Sequence, residues 1–242
     1  DIALAYQPLC DGMDSVVVGY EALARWTHPE RGEISPDVFI PVAERTGIIR
    51  RLGAWILERA CRDAAMWPDH VRVSVNVSST QLEDGHLAET VRHALDVSGL
   101  APRRLELEIK ESALIGATEM VAQTFSQLKE IGVLLALDDF GAGTSSISSI
   151  QRMPFDRIKI DRSFVSNLDS DARSVAIIRA ILAIGKELDL SVTAAGVEHE
   201  SQRIALRHMG CPELQGFLLG RPEPLSRVNE RAEQANEGKE AT

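Results

Sequence analysis

Ionisable and amide residues recur inside or directly after apolar runs of this chain, at positions where burial favours Val, Ile and Leu. Glu21 follows Val16-Val17-Val18, Asn76 interrupts Val73, Val75 and Val77, and Glu108 lies between Leu107 and Ile109. Asp138 and Asp139 close Leu134-Leu135-Ala136-Leu137, Lys159 splits Ile158 and Ile160, and Glu198 and Gln215 complete the series. Four or five carboxylates gathered in one place cannot all stay ionised without a counter-charge: some take protons, or divalent cations neutralise them. Hard oxygen donors favour Mg²⁺ or Mn²⁺ over zinc. Taken singly, Glu21, Asn76 or Glu108 has a plainer reading, a polar group at the solvated rim of a sheet. Asp138-Asp139 followed by Phe140-Gly141-Ala142-Gly143 is sharper, because two adjacent acids at a strand end stand before glycines that permit a tight loop; a simple turn is the alternative. No Ser or Cys is set against a His as a nucleophile, and His28, His70, His86, His93, His199 and His208 show no ligand spacing.

The elements that must position these groups alternate. From Val71 onward, short β-branched or leucine-rich runs are separated by longer stretches of helical period, the pattern of a parallel sheet with crossover helices. The strands expected are Val71–Val77, Leu105–Ile109, Val133–Leu137, Arg157–Ile160, Ser191–Ala195 and Glu213–Phe217. Two longer β-like stretches, Ile2–Leu9 and Ser15–Trp26, precede them, joined by the turn-like Cys10-Asp11-Gly12-Met13-Asp14, so the start of the sheet is expected to be antiparallel. Ser35-Pro36 opens a helix that Gly47 stops, Ile48–Met66 continues as an amphipathic helix, and Asp171–Leu188 carries Val175, Ile178, Ile181 and Leu182 on one stripe. The fold expected is α/β, a (β/α)8 TIM-like barrel, in which the polar series projects from the C-terminal strand ends into one mouth.

The 242 residues, 44% of them hydrophobic, suit one such domain over 1–236, with 237–242 as a disordered tail. Acidic residues outnumber basic ones 36 to 26, for a formal net charge of −10. That balance excludes a sequence-blind grip on long nucleic acid, while a small anion could still bind through metal ions. Cys10, Cys61 and Cys211 form neither a disulfide framework nor a zinc spacing, and suggest a reducing, cytoplasmic compartment. No run approaches the roughly 20 apolar residues of a membrane span, so no direct membrane contact is expected of the domain. The chain opens without methionine, directly in strand-like sequence, and reads as a segment of something longer.

Glu21-Ala22-Leu23-Ala24-Arg25, preceded by Tyr6-Gln7-Pro8, resembles the signature that names the EAL domain family. Asn76-Val77-Ser78, Glu108-Ile109-Lys110-Glu111, Asp138-Asp139-Phe140-Gly141, Lys159-Ile160-Asp161, Gly196-Val197-Glu198 and Gln215-Gly216-Phe217 extend the resemblance over nearly the whole chain. It implies a domain that binds cyclic di-GMP and hydrolyses it to linear pGpG with two Mg²⁺ or Mn²⁺ ions. Glu21, Asn76, Glu108 and Asp138 would hold one ion, and Asp138 and Asp139 the second. Lys159 would supply positive charge beside the attacking water, while Glu198 and Gln215 would orient it. Gln7, Leu23, Arg25, Asp161 and Gln215 would meet the dinucleotide, Arg25 offering a planar fork to phosphate, and Glu111 would steady the loop after Asp139. The resemblance further implies a homodimer, fused to upstream regulatory or cyclase-like domains in which any membrane anchor would lie.

The match breaks at one informative place. Where the family has Ala-Glu-Gly-Val-Glu, this chain has Ala194-Ala195-Gly196-Val197-Glu198, so Ala195 replaces a glutamate assigned to the second metal and to water activation. Loss of a general base costs on the order of 10²- to 10⁴-fold in rate. Ala142 and Thr144 stand where Thr and Tyr are usual, and Lys110 where Thr is usual. Two origins fit Ala195, natural drift toward a binding-only receptor or engineered inactivation. Three functional readings follow: an impaired phosphodiesterase, a cyclic di-GMP receptor that signals to an attached domain or partner, and, more remotely, a barrel enzyme acting on another phosphate ester, which fold alone does not exclude.

Overall fold

The computed structural model describes residues 1–115, 118–141 and 153–230. Its strands are β1 (Ile2–Asp11), β2 (Val17–His28), β3 (Gly32–Ile34), β4 (Arg72–Val77), β5 (Leu105–Lys110), β6 (Leu134–Phe140), β7 (Arg157–Ile160), β8 (Ser191–Ala195), β9 (Glu213–Gln215) and β10 (Glu223–Pro224). The described helices are α1 (Pro36–Arg45), α2 (Ile49–Ala64), α3 (Ser79–Glu83), α4 (Leu87–Ser98), α5 (Glu119–Ile131), α6 (Arg162–Ser166), α7 (Ala172–Glu187) and α8 (Glu200–His208). The expected domain boundary at 236 and the tail beyond it lie outside the described residues, as do Ala142 and Thr144.

Eight strands close on themselves in the order β1-β9-β8-β7-β6-β5-β4-β2, and β2 pairs with β1 to complete the ring. The pairings from β2 through β4, β5, β6, β7 and β8 to β9 are all parallel. β1 is antiparallel to both its neighbours in the ring, β2 and β9, and also to β10. The structure is therefore the expected TIM-like barrel with an antiparallel opening, and β3 and β10 extend the sheet outside the ring.

Local chemistry sets the element ends. The Ser35 hydroxyl accepts from the Asp37 N–H and Pro36 occupies the first turn of α1, where its missing N–H costs nothing. Ser78 and Gln81 form a reciprocal capping box immediately after β4, so the chain turns into α3 within one residue of the barrel mouth. Gly99 and Gly132 end α4 and α5 in the left-handed region. Val73, Val75 and Val77 face outward to the helices together with Leu107, Ile109, Leu135, Leu137, Ile158 and Ile160, and all are buried.

The barrel interior is polar in two tiers. In the lower tier, Arg72 Nε donates to Glu106 Oε2 at 3.2 Å and Arg72 Nη2 donates to Glu213. Arg157 Nη1 donates to Glu213 Oε1 at 2.7 Å, and its Nε lies 2.7 Å from Glu106 Oε2. Ser74 and Thr193 hydroxyls complete the two carboxylates. Two guanidinium and two carboxylate groups thus alternate without net charge, the condition for burying ions at tolerable cost.

On the opposite face of β1 from Gln7, toward α2, Tyr6 is fully buried and donates its hydroxyl to Asp63 Oδ2 at 2.6 Å. Burial and the Asp63 carboxylate both push the phenol far above its ordinary range. Tyr6→Phe is expected to destabilise the domain by about 1–2 kcal/mol in denaturant unfolding, because Arg59 remains to pair Asp63 at 3.0 Å. A variant as stable as the parent would show that this hydrogen bond contributes nothing.

Several boundaries differ from the sequence expectation: β1 runs on to Asp11, β2 covers Val17–His28, and the ends of β6 and β9 also move. β6 continues to Phe140 rather than ending at Leu137, because a register shift between Leu137 and Phe140 lets buried Phe140 pair with Ile160. β9 ends at Gln215 rather than Phe217. A Cβ on Gly216 would lie 2.1 Å from Val197 O, so the chain lies directly against the loop after β8. Phe217, half exposed, instead stacks under the Arg221 guanidinium, 4.3 Å from the ring centre.

Candidate active site

The upper tier of the barrel interior gathers the polar series at the C-terminal strand ends. Lys159 Nζ, buried, donates to Glu21 Oε2 and to Glu108 Oε2 at 2.8 Å each, and lies 3.9 Å from Asp138 Oδ1. Glu21 also accepts from Gln215 Nε2 and from Asn76 Nδ2, both at 2.7 Å. Strands β2, β4, β5, β6, β7 and β9 therefore each contribute one group, two positions above a lower-tier residue on β4, β5, β7 and β9.

Electrostatics divide the three acids. Burial works against an ionised Glu21, but the Lys159 ammonium and the Gln215 and Asn76 donors overcome it and hold that carboxyl at about 2. Glu108 goes the other way: burial, then the neighbouring Glu21 charge, push it well above the usual carboxylate range despite Lys159. Asp138 is also raised, mainly by burial. Lys159 keeps its proton against burial because Glu108, Glu21 and Asp138 surround it. Oxygens from three carboxylates thus converge on one cationic position. Among the described residues, no three acidic, histidine or cysteine side chains are spaced to hold a metal without rearrangement.

The remaining predicted site residues are distributed around this cluster. Gln7, opposite Glu21 on β1, accepts from Gln215 Nε2 at 3.4 Å and donates to Gly220 O at 3.2 Å. Gln215 Oε1 is buried without a hydrogen-bond partner. Glu111 Oε2 accepts from the Gly141 N–H at 3.0 Å, which fixes the start of the segment after Asp139. Asp139 itself has a φ of 56° and pairs with Lys110 Nζ at 3.1 Å. Leu23 lies on the wall of a cleft of about 610 Å³ that opens from Glu21, Asn76 and Asp138 toward α1 and α2, with Pro36, Asp37 and Ile40 on its far side.

Three residues are not brought to the cluster. Arg25 donates to its neighbour's carbonyl, Ala24 O, at 3.0 Å and approaches Glu33. Asp161 caps α6, accepting from the Ser163 N–H at 2.9 Å. Glu198 is exposed, and among the described residues its side chain makes no hydrogen bond or ion pair; only its N–H is engaged, by Gln202 Oε1. Ala195 shares the inward face of β8 with Thr193 and sits in register with Gln215, so a methyl group stands at the rim of the upper tier.

Sequence reading missed the lower tier of Arg72, Glu106, Arg157 and Glu213. The signal was present as a polar residue two positions before four of the six upper-tier ones, in Arg72-x-Ser74-x-Asn76, Glu106-x-Glu108, Arg157-x-Lys159 and Glu213-x-Gln215. It also missed that α1 would wall the cleft.

Comparison with known proteins agrees with this geometry. The family model described as EAL domain matches residues 1–222. The chain is 49% identical over 225 residues to an uncharacterized signaling protein of Caulobacter vibrioides, covering 93% of this chain and 28% of that protein. It is 41% identical over 231 residues to the bifunctional diguanylate cyclase/cyclic di-GMP phosphodiesterase MucR of Pseudomonas aeruginosa, covering 94% of this chain and 34% of MucR. This chain therefore spans about a third of the length of these curated relatives. Among solved structures, a MucR phosphodiesterase in complex with c-di-GMP superposes with a TM-score of 0.89 at 40% identity over 94% of each chain. No helix among the described residues is long and apolar enough to cross a membrane.

Proposed function

The chain belongs to the EAL domain family, and from that premise we propose that it binds cyclic di-GMP at the barrel mouth as a phosphodiesterase impaired at one position. The reaction is hydrolysis of one phosphodiester: water adds to phosphorus, the bond to the leaving ribose oxygen breaks, and the ring opens to linear pGpG. The observation that carries this reading is the convergence of Glu21, Glu108 and Asp138 on one buried cationic point, beside a 610 Å³ cleft. Asn76 would complete a set of hard oxygen donors suited to Mg²⁺ or Mn²⁺, with Asp139 beside it. When bound, such ions lower the pKa of water and stabilise charge on the attacking and leaving oxygens.

The chain's own residues have separate tasks in this scheme. Lys159 keeps Glu21 ionised and ready to act as a donor, and carries positive charge to the reacting phosphate. Gln215 holds Glu21 in place through Nε2, which leaves its partnerless Oε1 to accept from water or ligand. Arg25 must release the Ala24 carbonyl before its fork can meet a phosphate. Asp161 would act on the ligand only from the mouth of α6, where its carboxylate already serves as a cap. Glu198 would have to turn inward from the surface to orient water. Ala195 supplies neither a metal ligand nor a proton acceptor, and that favours the second reading, a receptor that binds without turnover.

Calorimetry with cyclic di-GMP and Mg²⁺ or Mn²⁺, with chromatography of the same mixture, tests the proposal. Saturable binding with slow or no pGpG is expected; absence of binding with either metal would overturn it. The domain is expected to pair with a second copy of itself, and a monomeric sedimentation profile at high concentration would count against that.

A further inference from the structure

Lys110 stands at the mouth just beyond the upper tier, and the scheme above does not use its charge. It stands two positions beyond Glu108 on β5, in register with Asp138 of β6, and its side chain, more than half exposed, lies on the wall of the cleft. Its ammonium is 3.1 Å from Asp139 Oδ2. Asp139 sits at the register shift of β6 with a positive φ, a conformation that takes it out of regular strand alternation and costs a non-glycine residue some strain. Among the described residues, Lys110 is the only cation with which Asp139 pairs.

Across the mouth, the inward end of β8 offers no charged side chain to compete with that pairing. Ala195, at the inward end of β8, presents a methyl group where a donor could have reached a cation. A divalent ion bound at Asp139 would have the Lys110 ammonium as an immediate like-charged neighbour, and would have to displace it with few ligands among the described residues to offset the loss. At the other half of the mouth the arrangement differs: three carboxyl groups, Glu21, Glu108 and Asp138, share a single lysine.

We infer that Lys110 is the built-in counter-ion of Asp139, standing where a second divalent cation would sit, so that the mouth takes up one divalent ion rather than two. This rests on the metal-dependent reading proposed above, and makes Lys110 a positioning residue that fixes Asp139 without touching the reacting atoms.

Counting Mn²⁺ bound per chain, from the electron paramagnetic resonance signal of free Mn²⁺ in the presence of cyclic di-GMP, tests it on the intact domain. The parent chain and Lys110→Arg are expected to bind about one ion each, and the double variant Lys110→Thr/Ala195→Glu about two. Lys110→Thr alone, with Ala195 kept, is expected to add a second, weaker ion, and serves if the double variant fails to fold. Two ions on the parent chain, or only one on a folded double variant, would overturn the inference while leaving the metal-dependent reading intact. No Mn²⁺ on any chain would overturn that reading and the inference with it.

Discussion

Ala195→Glu is expected to raise the rate of pGpG formation from cyclic di-GMP by on the order of 10²- to 10⁴-fold, the usual contribution of a positioned general base. The argument is geometric before it is chemical. The Ala195 side chain shares the inward face of Thr193, whose hydroxyl reaches Glu213 inside the barrel, and it is level with Gln215, whose Nε2 reaches Glu21. A carboxylate grown from that position enters the upper tier at the strand end, where β8 contributes no polar group. With Lys110 on Asp139 the gain should fall toward the lower end of the range, and adding Lys110→Thr should move it upward. Chromatography of timed reactions reads the effect; equal rates for parent and Ala195→Glu would show that position 195 takes no part in turnover.

Lys159→Met should destabilise the domain by about 3 kcal/mol in chelator, because removing one partner of a buried ion cluster leaves the others uncompensated. Lys159 is the only ammonium against Glu21, Glu108 and Asp138 among the described residues. The loss should depend on pH with a definite sign. Burial already holds Glu108 and Asp138 above their ordinary values with the lysine present, and without it they must rise further. A carboxyl whose folded pKa exceeds its unfolded one favours the fold while protonated, and that benefit disappears as pH rises past the unfolded value, about 4 for these groups. The variant should therefore lie closest to the parent in acid and furthest from it at neutral pH. Divalent cations should restore more stability to the variant than to the parent, since an ion that binds only the folded form stabilises it by mass action. Denaturant unfolding at two pH values, with chelator and with Mn²⁺, measures all of this; equal stability of variant and parent at neutral pH in chelator would refute it.

The barrel and most of its upper tier were legible because a polar residue inside an apolar run is costly unless something requires it. Glu21, Asn76, Glu108, Asp138, Lys159 and Gln215 each break such a run, and the structure brings all six together. Residues outside strands carried no such signal. Asp161 and Glu198 lie where the chain leaves β7 and β8, and whether a side chain there turns inward depends on loop geometry rather than on period; one caps a helix and the other meets solvent. Arg25 is long enough to reach several partners, and its resting place beside Ala24 O and Glu33 follows from local contacts that spacing does not encode. The lower tier escaped for the opposite reason. Its charges cancel within the barrel, so Arg72, Glu106, Arg157 and Glu213 have the composition of an ordinary surface and only their offset from the upper tier, two residues or, for Arg72, four, places them inside.

The reversed first strand bears on how the chain reaches this structure. β1 pairs with β2 a few residues away, but its other partner within the ring is β9, so Leu9 must find Gln215 before the ring is closed. A contact between segments so far apart in sequence is slow to form, since the intervening chain has to be ordered first. During synthesis the β1–β2 hairpin is completed early and its free edge stays unpaired until the last barrel strand has been made, which is the interval in which such an edge is open to pairing with another chain. Gln7 and Gln215, the two amides that meet beside Glu21, come from the two sides of that final seam, so the pocket is finished only when the barrel is.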